Sequence, residues 1–190
     1  MTAELSRPTE PEAPESLYRV GSEAGFEDWV QGFRKRALAL GIAPSVFDAA
    51  FSSITYNSEI IEKDHNQSEF VKPIWEYLDK AVSEKRVENG QKALRKYRRL
   101  LERIEARYGV DKEVVVAIWG LESSFGQNRG DLPLIQSLAT LAYDGRRGAF
   151  FEQQLVAALR IIQAGNVAPD DMTGSWAGAM GHTQFIPTSY

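Results

Sequence analysis

The chain has 190 residues, 43% of them hydrophobic and 25% charged, a composition typical of one globular domain. The absence of cysteine excludes disulfides, zinc–thiolate sites and cysteine nucleophiles, and the net charge of −4 gives no overall basic field for nucleic acid. No apolar run approaches the roughly 20 residues of a membrane span, and no export signal is recognisable at the N-terminus. His65 and His182 are far apart in sequence, so we expect no metal and no cofactor.

The first part of the chain divides into a leader and two short helices. Residues 1–20 are rich in proline and glutamate and poor in apolar residues, which predicts a disordered leader. We therefore expect the folded domain over residues 21–190. Apolar residues at helical spacing predict a first helix that ends at Gly41, and Pro44 is well placed to open a second.

The middle of the chain predicts a long connection followed by two helices. Residues 56–69 are polar and without a period, which indicates a connection, and helical spacing resumes at a helix that begins near Pro73. The longest predicted helix covers residues 84–108, with nine Lys or Arg and four Glu. Its basic face could contact phosphates. Its apolar stripe instead favours a half-buried helix with a solvated face, so we expect no nucleic-acid partner.

The last part of the chain predicts further helices. Asp111 is a suitable N-cap, and residues 114–119 are apolar on every side, which predicts a helix at the centre of the core. Two more helices are predicted over residues 134–143 and 147–164. No alternating strand pattern is evident. The predicted fold class is therefore mainly α.

Glu122 is the strongest catalytic candidate because it ends the most apolar predicted helix. Burial among Trp119, Leu121 and Phe125 would disfavour the carboxylate, and so would the partial negative charge of a helix C-terminus. Both effects raise the pKa of a glutamate toward the range that a general acid needs. The alternative is a structural glutamate that bonds a backbone amide or pairs with an arginine.

A second segment, residues 173–187, is rich in glycine and alanine, which permits close approach to another helix or to a ligand. Within it, Ser175 is a good helix N-cap, and the amide of Gln184 could fix a carboxyl group or a sugar hydroxyl. Tight helix packing is the alternative. The glycine spacing matches neither a phosphate loop nor a dinucleotide fingerprint. Because Glu122 stands where a serine hydrolase motif would have its nucleophile, that class is rejected as well.

Other residues leave two interpretations open. Arg146 and Arg147 could bind anionic groups or could be the solvated start of a helix. Several aromatic residues could line a sugar groove, although aromatic residues at helical spacing are more often core; they are Trp75, Tyr77, Trp119 and Trp176.

Four blocks in fixed order resemble the membrane-bound lytic transglycosylase B family of bacterial cell-wall enzymes. They are IWGLESSFG at residues 118–126, SLATL at 137–141, the arginine pair at 146–147, and GSWAGAMGHTQFIPTSY at 174–190. The resemblance extends from about residue 25 to the end of the chain. It implies a lysozyme-like α-helical domain.

The resemblance also implies an activity. Family members cleave the MurNAc–GlcNAc β-1,4 bond of peptidoglycan without water. One glutamate, matching Glu122, protonates the glycosidic oxygen and then acts as base on the 6-hydroxyl, so that a 1,6-anhydro ring closes. A hydrolase would need a second positioned carboxylate, and no sequence pattern puts one opposite Glu122. The expected partner is therefore the peptidoglycan glycan strand.

Further site residues follow from the same resemblance. Ser175 and Gln184 match positions that hydrogen-bond the catalytic glutamate or the sugar, and Tyr77 matches an aromatic position of the groove. Arg146 and Arg147 match positions near the stem peptide, whose carboxylates suit guanidinium groups. Family members continue beyond Pro-Thr-Ser-Tyr, so we expect a C-terminally truncated piece of a periplasmic enzyme. A glycan-binding fragment that does not cleave is the alternative, and self-association through exposed apolar surface is also expected.

Overall fold

The structure, a computed structural model, describes residues 21–66 and 73–190, so the predicted leader over 1–20 lies outside the described residues. Within that part of the chain the helices are α1 (Glu23–Ala39), α2 (Pro44–Ala50), α3 (Ser58–His65), α4 (Ile74–Ala81), α5 (Glu84–Lys96), α6 (Arg98–Tyr108), α7 (Lys112–Ser123), α8 (Leu134–Asp144) and α9 (Gly148–Gln163). Two strands of two residues, β1 (Leu132–Pro133) and β2 (Thr173–Gly174), pair antiparallel. Single 3-10 turns cover Pro169–Asp171 and Pro187–Ser189.

The first two helices begin and end as the sequence predicts. The side chain of Ser22 caps α1 by accepting a hydrogen bond from the Gly25 N–H, and Gly41 follows the helix with a positive φ of 89°. Pro44 is the first residue of α2.

A helix was missed in the predicted connection. Residues 58–65 form α3, which Asn57 caps by accepting from the Glu59 N–H. Ile60 is fully buried on its inner face, and Asp64 is buried as well. With only two buried side chains, the helix is too short and too polar to give a periodic signal. Pro73 precedes the first residue of α4, as predicted.

The predicted helix over 84–108 is interrupted. Tyr97 leaves helical geometry, with φ −105° and ψ 15°, and separates α5 from α6. Its ring packs edge-on against Trp119, with the centroids 5.5 Å apart. The break lets α5 and α6 both pack on α7, around a small core of Ala93, Leu101 and Val116.

The helix α7 differs from its prediction at both its start and its surface. Asp111 occupies the N-cap without a side-chain bond, and Glu105 of α6 instead accepts from the Lys112 N–H at 3.2 Å. The predicted complete burial of residues 114–119 is wrong, because Val114 and Ile118 are 47% and 45% exposed. Its covered side lies toward α5, α6 and residues 180–185.

The central helix of the larger core is α8, whose residues are buried almost throughout. It packs on α9 along its length and also contacts α1 and α3. Fully buried side chains from these helices, including Phe33, Ile60, Leu138 and Leu155, interdigitate there. The larger core therefore surrounds α8, whereas α7 packs on the small core.

The glycine-rich segment forms turns rather than a helix. The Oγ of Ser175 accepts from the Ala179 N–H at 3.1 Å, and the Ser175 N–H donates to the Ala179 carbonyl at 2.7 Å. The predicted helix N-cap at Ser175 is therefore wrong, because the chain turns back within four residues. Within residues 21–66 and 73–190, no helix has the length and hydrophobicity that crossing a membrane requires.

Candidate active site

Glu122 lies in the last turn of α7, one residue before the helix ends. Ser124 and Phe125 follow with φ values of +50° and +61°, and both N–H groups turn back toward the Trp119 carbonyl. Phe125 packs on Gly120, where an added Cβ would be only 2.6 Å from the Phe125 Cζ. The glycine therefore permits the reversal of the chain directly after Glu122.

The side chain of Glu122 is exposed to solvent. The expected burial among Trp119, Leu121 and Phe125 is therefore wrong, since Leu121 itself is 47% exposed and Trp119 faces the small core. The expected position at a helix C-terminus agrees with the structure. Glu122 is thus open to a large substrate from the solvent side.

Two hydrogen bonds connect residues 180–185 to α7 beside Glu122. The buried Ser123 hydroxyl donates to the His182 carbonyl at 2.7 Å and accepts from the Gly126 N–H at 3.0 Å. The indole N–H of Trp119 donates to His182 Nδ1 at 2.9 Å. Sequence reasoning missed both Ser123 and His182. The available signal was that one of the two histidines lies in the glycine-rich segment.

Gln184 connects the same turn to the loop that follows α7. It has a φ of +49°, and its Nε2 donates to the carbonyls of Arg129 and Gly181 at 3.0 and 2.9 Å. Gln184 thereby ties residues 126–131 to residues 180–185. The hydroxyl of Ser175 is engaged with Ala179 in the preceding turn. Both predicted site residues thus shape the glycine-rich segment, while their contacts with a sugar or with Glu122 stay predictions.

An apolar groove of about 410 Å³ runs between α4, α5 and α7. Tyr77, 58% exposed on α4, lines it together with Leu121, the residue directly before Glu122. The other predicted groove aromatics differ in their surroundings. Trp119 and Trp176 pack against the two cores, and Trp75 is 72% exposed on α4.

The two adjacent arginines contact different groups. Arg146 donates from Nε to Oδ2 of the buried Asp64 at 2.8 Å, and the guanidinium of Arg147 stacks 4.2 Å from the Phe150 ring centroid. His65 and Asp144 lie beside Asp64, and one potential ligand atom from each of the three falls within 4.8 Å of the others. Among the described residues, these three form the group whose ligand atoms lie close enough together to hold a metal ion. The guanidinium of Arg146 already supplies a positive charge beside Asp64.

A comparison with protein families shows which family the chain belongs to. The model of the family described as "Transglycosylase SLT domain" matches residues 25–190. This chain belongs to the transglycosylase SLT domain family.

Known SLT proteins resemble the chain in sequence and in fold. Membrane-bound lytic murein transglycosylase B of Escherichia coli is 35% identical over 115 residues, which are 60% of this chain and 32% of that protein. SltB3 of Pseudomonas aeruginosa, in complex with NAG-NAM-pentapeptide, has a TM-score of 0.83 at 50% identity, over 86% of this chain and 44% of that one. The same protein is known with NAG-anhNAM-pentapeptide.

A third relative is the E. coli lytic transglycosylase Slt35 in complex with bulgecin A. Its TM-score is 0.78 at 27% identity, over 96% of this chain and 59% of that one. This SLT domain therefore spans between about a third and three fifths of the length of the relatives it matches. The predicted mainly α, lysozyme-like fold and the predicted family are confirmed.

Proposed function

We propose that this chain is a lytic transglycosylase that cleaves the MurNAc–GlcNAc β-1,4 bond of peptidoglycan, with Glu122 as the acid and then the base. The observation that carries the proposal is the position of Glu122 in the last turn of α7, next to a groove lined by Tyr77 and Leu121. The family membership supports it, as does the binding of peptidoglycan fragments by SltB3.

The proposed reaction uses one carboxyl group twice. Glu122 donates its proton to the glycosidic oxygen, the bond to C1 of the muramoyl sugar breaks, and GlcNAc leaves with a free 4-hydroxyl. The Glu122 carboxylate then removes the proton from the 6-hydroxyl of the same muramoyl sugar, whose oxygen bonds to C1. No water is consumed and Glu122 regains its proton. The anhydro sugar bound to SltB3 supports this product class.

A second carboxylate would be needed for hydrolysis. Asp144, one candidate, is only 6% exposed and faces His65 inside the fold. Its burial supports a mechanism that depends on Glu122 alone. Asp131, Asp170 and Asp171 are exposed on loops and turns.

The test compares Glu122 with a glutamate outside the groove. Purified sacculi are incubated with the wild-type chain, with Glu122→Gln and with Glu102→Gln, and the soluble muropeptides are identified by mass spectrometry. Glu102 is the control, since it is exposed on α6, pairs with Arg98 and is not among the groove residues. We expect products one water lighter than those of lysozyme from the wild type and the control, and none from Glu122→Gln.

Two other outcomes would overturn parts of the proposal. Products of full hydrolytic mass would mean that a second carboxylate acts, and Asp131→Asn would then be examined first. Full activity of Glu122→Gln would remove Glu122 from the mechanism.

Glycan binding without cleavage is the second candidate function. It is favoured by the exposure of Glu122, since a general acid is usually kept away from bulk water. This function predicts that the folded chain sediments with sacculi and releases no soluble product. The same incubation therefore distinguishes binding from cleavage.

Three finer properties belong to this proposal. Because peptidoglycan is the substrate, the chain would act in the periplasm.

Arg147 would contact a carboxylate of the stem peptide. Self-association would bury the exposed side chains of Val114 and Ile118 on α7. Sedimentation velocity over a range of concentrations tests the last property, and an Ile118→Glu variant that sediments like the wild type would contradict it.

A further inference from the structure

His182 bridges the last two turns of α7. Its carbonyl accepts from the Ser123 hydroxyl at 2.7 Å, and its Nδ1 accepts from the Trp119 indole N–H at 2.9 Å. The imidazole also lies against the indole, with the centroids 5.7 Å apart and the planes at 57°. Backbone and side chain of one residue therefore hold two positions of the same helix.

The hydrogen bond to Trp119 defines the chemical form of the imidazole. An indole nitrogen can only donate, so His182 Nδ1 must be the acceptor and the proton must be on Nε2. A doubly protonated imidazole would present a donor to the indole and could not form this bond. The contact therefore requires neutral His182 with one defined tautomer.

Glu122 lies between the two residues that His182 holds. It is three positions after Trp119 and directly precedes Ser123. The last carbonyl groups of a helix lack partners within the helix, and here the Trp119 and Ser123 carbonyls accept from the Phe125 and Asn128 N–H groups that follow α7. Residues 180–185 contact this turn instead through its side chains, since His182 accepts from the Trp119 indole and the Ser123 hydroxyl.

Gly126 leaves room for the His182 imidazole because it has no side chain. A Cβ on Gly126 would lie 2.4 Å from His182 Cε1, so the ring rests directly on the glycine backbone. Gly126 has a φ of +84°, which a residue with a side chain rarely adopts. Gly126 and Trp119 together therefore hold the imidazole in one orientation.

We propose that His182 is a positioning residue which, through Trp119, holds the last turn of α7 and so keeps Glu122 in one orientation. The inference rests on the proposed acid–base role of Glu122. A carboxyl group displaced by about 1 Å loses much of its catalytic effect, while the glycan can still bind in the groove. The loss of His182 should therefore lower kcat and leave KM nearly unchanged.

The experiment compares an acceptor-deleting and an acceptor-preserving variant. His182→Phe keeps a flat ring without an acceptor for the indole. His182→Asn can offer its Oδ1 near the position of Nδ1. Thr183→Ala is the control, because Thr183 is the exposed next residue of the same turn. Each protein is tested for release of soluble product from glycan strands and for thermal unfolding.

A second readout does not depend on activity. NMR at about pH 8, where an ordinary imidazole is neutral, reports the His182 tautomer, the Trp119 indole N–H shift and the order parameter of the Glu122 amide. In the wild type we expect the proton on Nε2 and a Glu122 order parameter near the rigid value of about 0.85.

The expected pattern is specific to positioning. His182→Phe should lower kcat at least tenfold, change KM less than twofold, shift the indole signal and lower the Glu122 order parameter. His182→Asn should restore most of kcat and of the order parameter, and Thr183→Ala should resemble the wild type.

Three results would overturn the inference. They are a His182→Phe variant with unchanged kcat and Glu122 order, an Asn variant as impaired as the Phe variant, and a wild-type His182 protonated on Nδ1. If the wild-type chain releases no product, the proposed function fails, and the Glu122 order parameters in the three variants still decide whether His182 holds the turn.

Discussion

Arg146 donates from Nε to Asp64 Oδ2 at 2.8 Å, joining two residues that are 82 positions apart in the sequence. Asp64 is only 4% exposed, so its carboxylate is removed from water and is compensated by this guanidinium. Arg147, the next residue, instead stacks on Phe150. One arginine of the pair thus connects α3 to the end of α8, and the other covers an aromatic ring at the start of α9.

This difference predicts unequal losses of stability. Arg146→Gln leaves a buried carboxylate without its cation, so we expect the free energy of unfolding to fall by about 2–4 kcal/mol. Arg147→Gln removes an exposed cation–π contact and should cost less than about 1 kcal/mol. Urea unfolding at neutral pH measures both. Equal losses would mean that the Asp64 pair contributes no more than the surface contact.

Two helical glycines face the same aromatic ring and should respond in opposite directions to alanine. At Gly120 a Cβ would lie 2.6 Å from Phe125 Cζ, so Gly120→Ala should displace Phe125 and cost about 1–3 kcal/mol. A Cβ on Gly90 would lie 3.7 Å from the same Phe125 Cζ, which is an ordinary contact. Gly90→Ala should therefore raise the free energy of unfolding by about 0.5–1 kcal/mol through helix propensity. Thermal unfolding distinguishes them, and a stabilised Gly120→Ala would contradict the packing described for Phe125.

The contact between Glu105 and Lys112 predicts acid sensitivity at the start of α7. Hydrogen bonds from the Lys112 ammonium and then from its backbone N–H lower the pKa of Glu105 below its ordinary value of 4.5. The folded state therefore binds this proton less readily than the unfolded state. The stabilisation is present above about pH 4.5 and is lost as the pH falls through the folded pKa.

Glu105→Gln should accordingly unfold more easily than the wild type at pH 7, and the difference should shrink below about pH 4. Thermal unfolding from pH 7 to pH 3 measures this convergence. Glu102→Gln is the control on the same helix, since its exposed pair with Arg98 should contribute little. A Glu105→Gln difference that stays constant with pH would contradict the assignment.

Two exposed aromatic residues of α4 should differ in their effect on glycan binding. Tyr77 lines the groove next to Leu121, whereas Trp75 is 72% exposed and is not among the groove residues. If sugars lie in the groove, Tyr77→Ala should raise KM for glycan strands by up to about tenfold, the equivalent of one aromatic contact. Trp75→Ala should change KM less than twofold. Equal effects would remove Tyr77 from the site.

Sequence periodicity predicted several of the described helices. For α1, α2, α4, α8 and α9 the spacing of apolar residues and the flanking proline or glycine indicated the element and its approximate bounds. The position of Glu122 at the end of α7 could be predicted in the same way, since an apolar run ends there. The four blocks that resemble the transglycosylase family were also readable directly from the residues.

Periodicity failed where a contact from elsewhere in the chain overrides local preference. The break at Tyr97 depends on Trp119, which is 22 residues away, and the short α3 depends on burial of Ile60 under α8. Hydrophobicity alone also could not predict which apolar helix is central. It is α8, because α1, α3 and α9 surround it, while α7 has neighbours on only part of its surface.

The amino-acid sequence by itself determined the fold class, the family resemblance and the choice of Glu122. Only the tertiary structure decided that Glu122 is exposed, that Arg146 pairs with Asp64, and that His182 bonds to Trp119. The physical reason is the range of the interactions. Helix periodicity and capping act over a few residues and leave a local pattern, whereas burial and side-chain pairing depend on residues that approach only when the chain has folded.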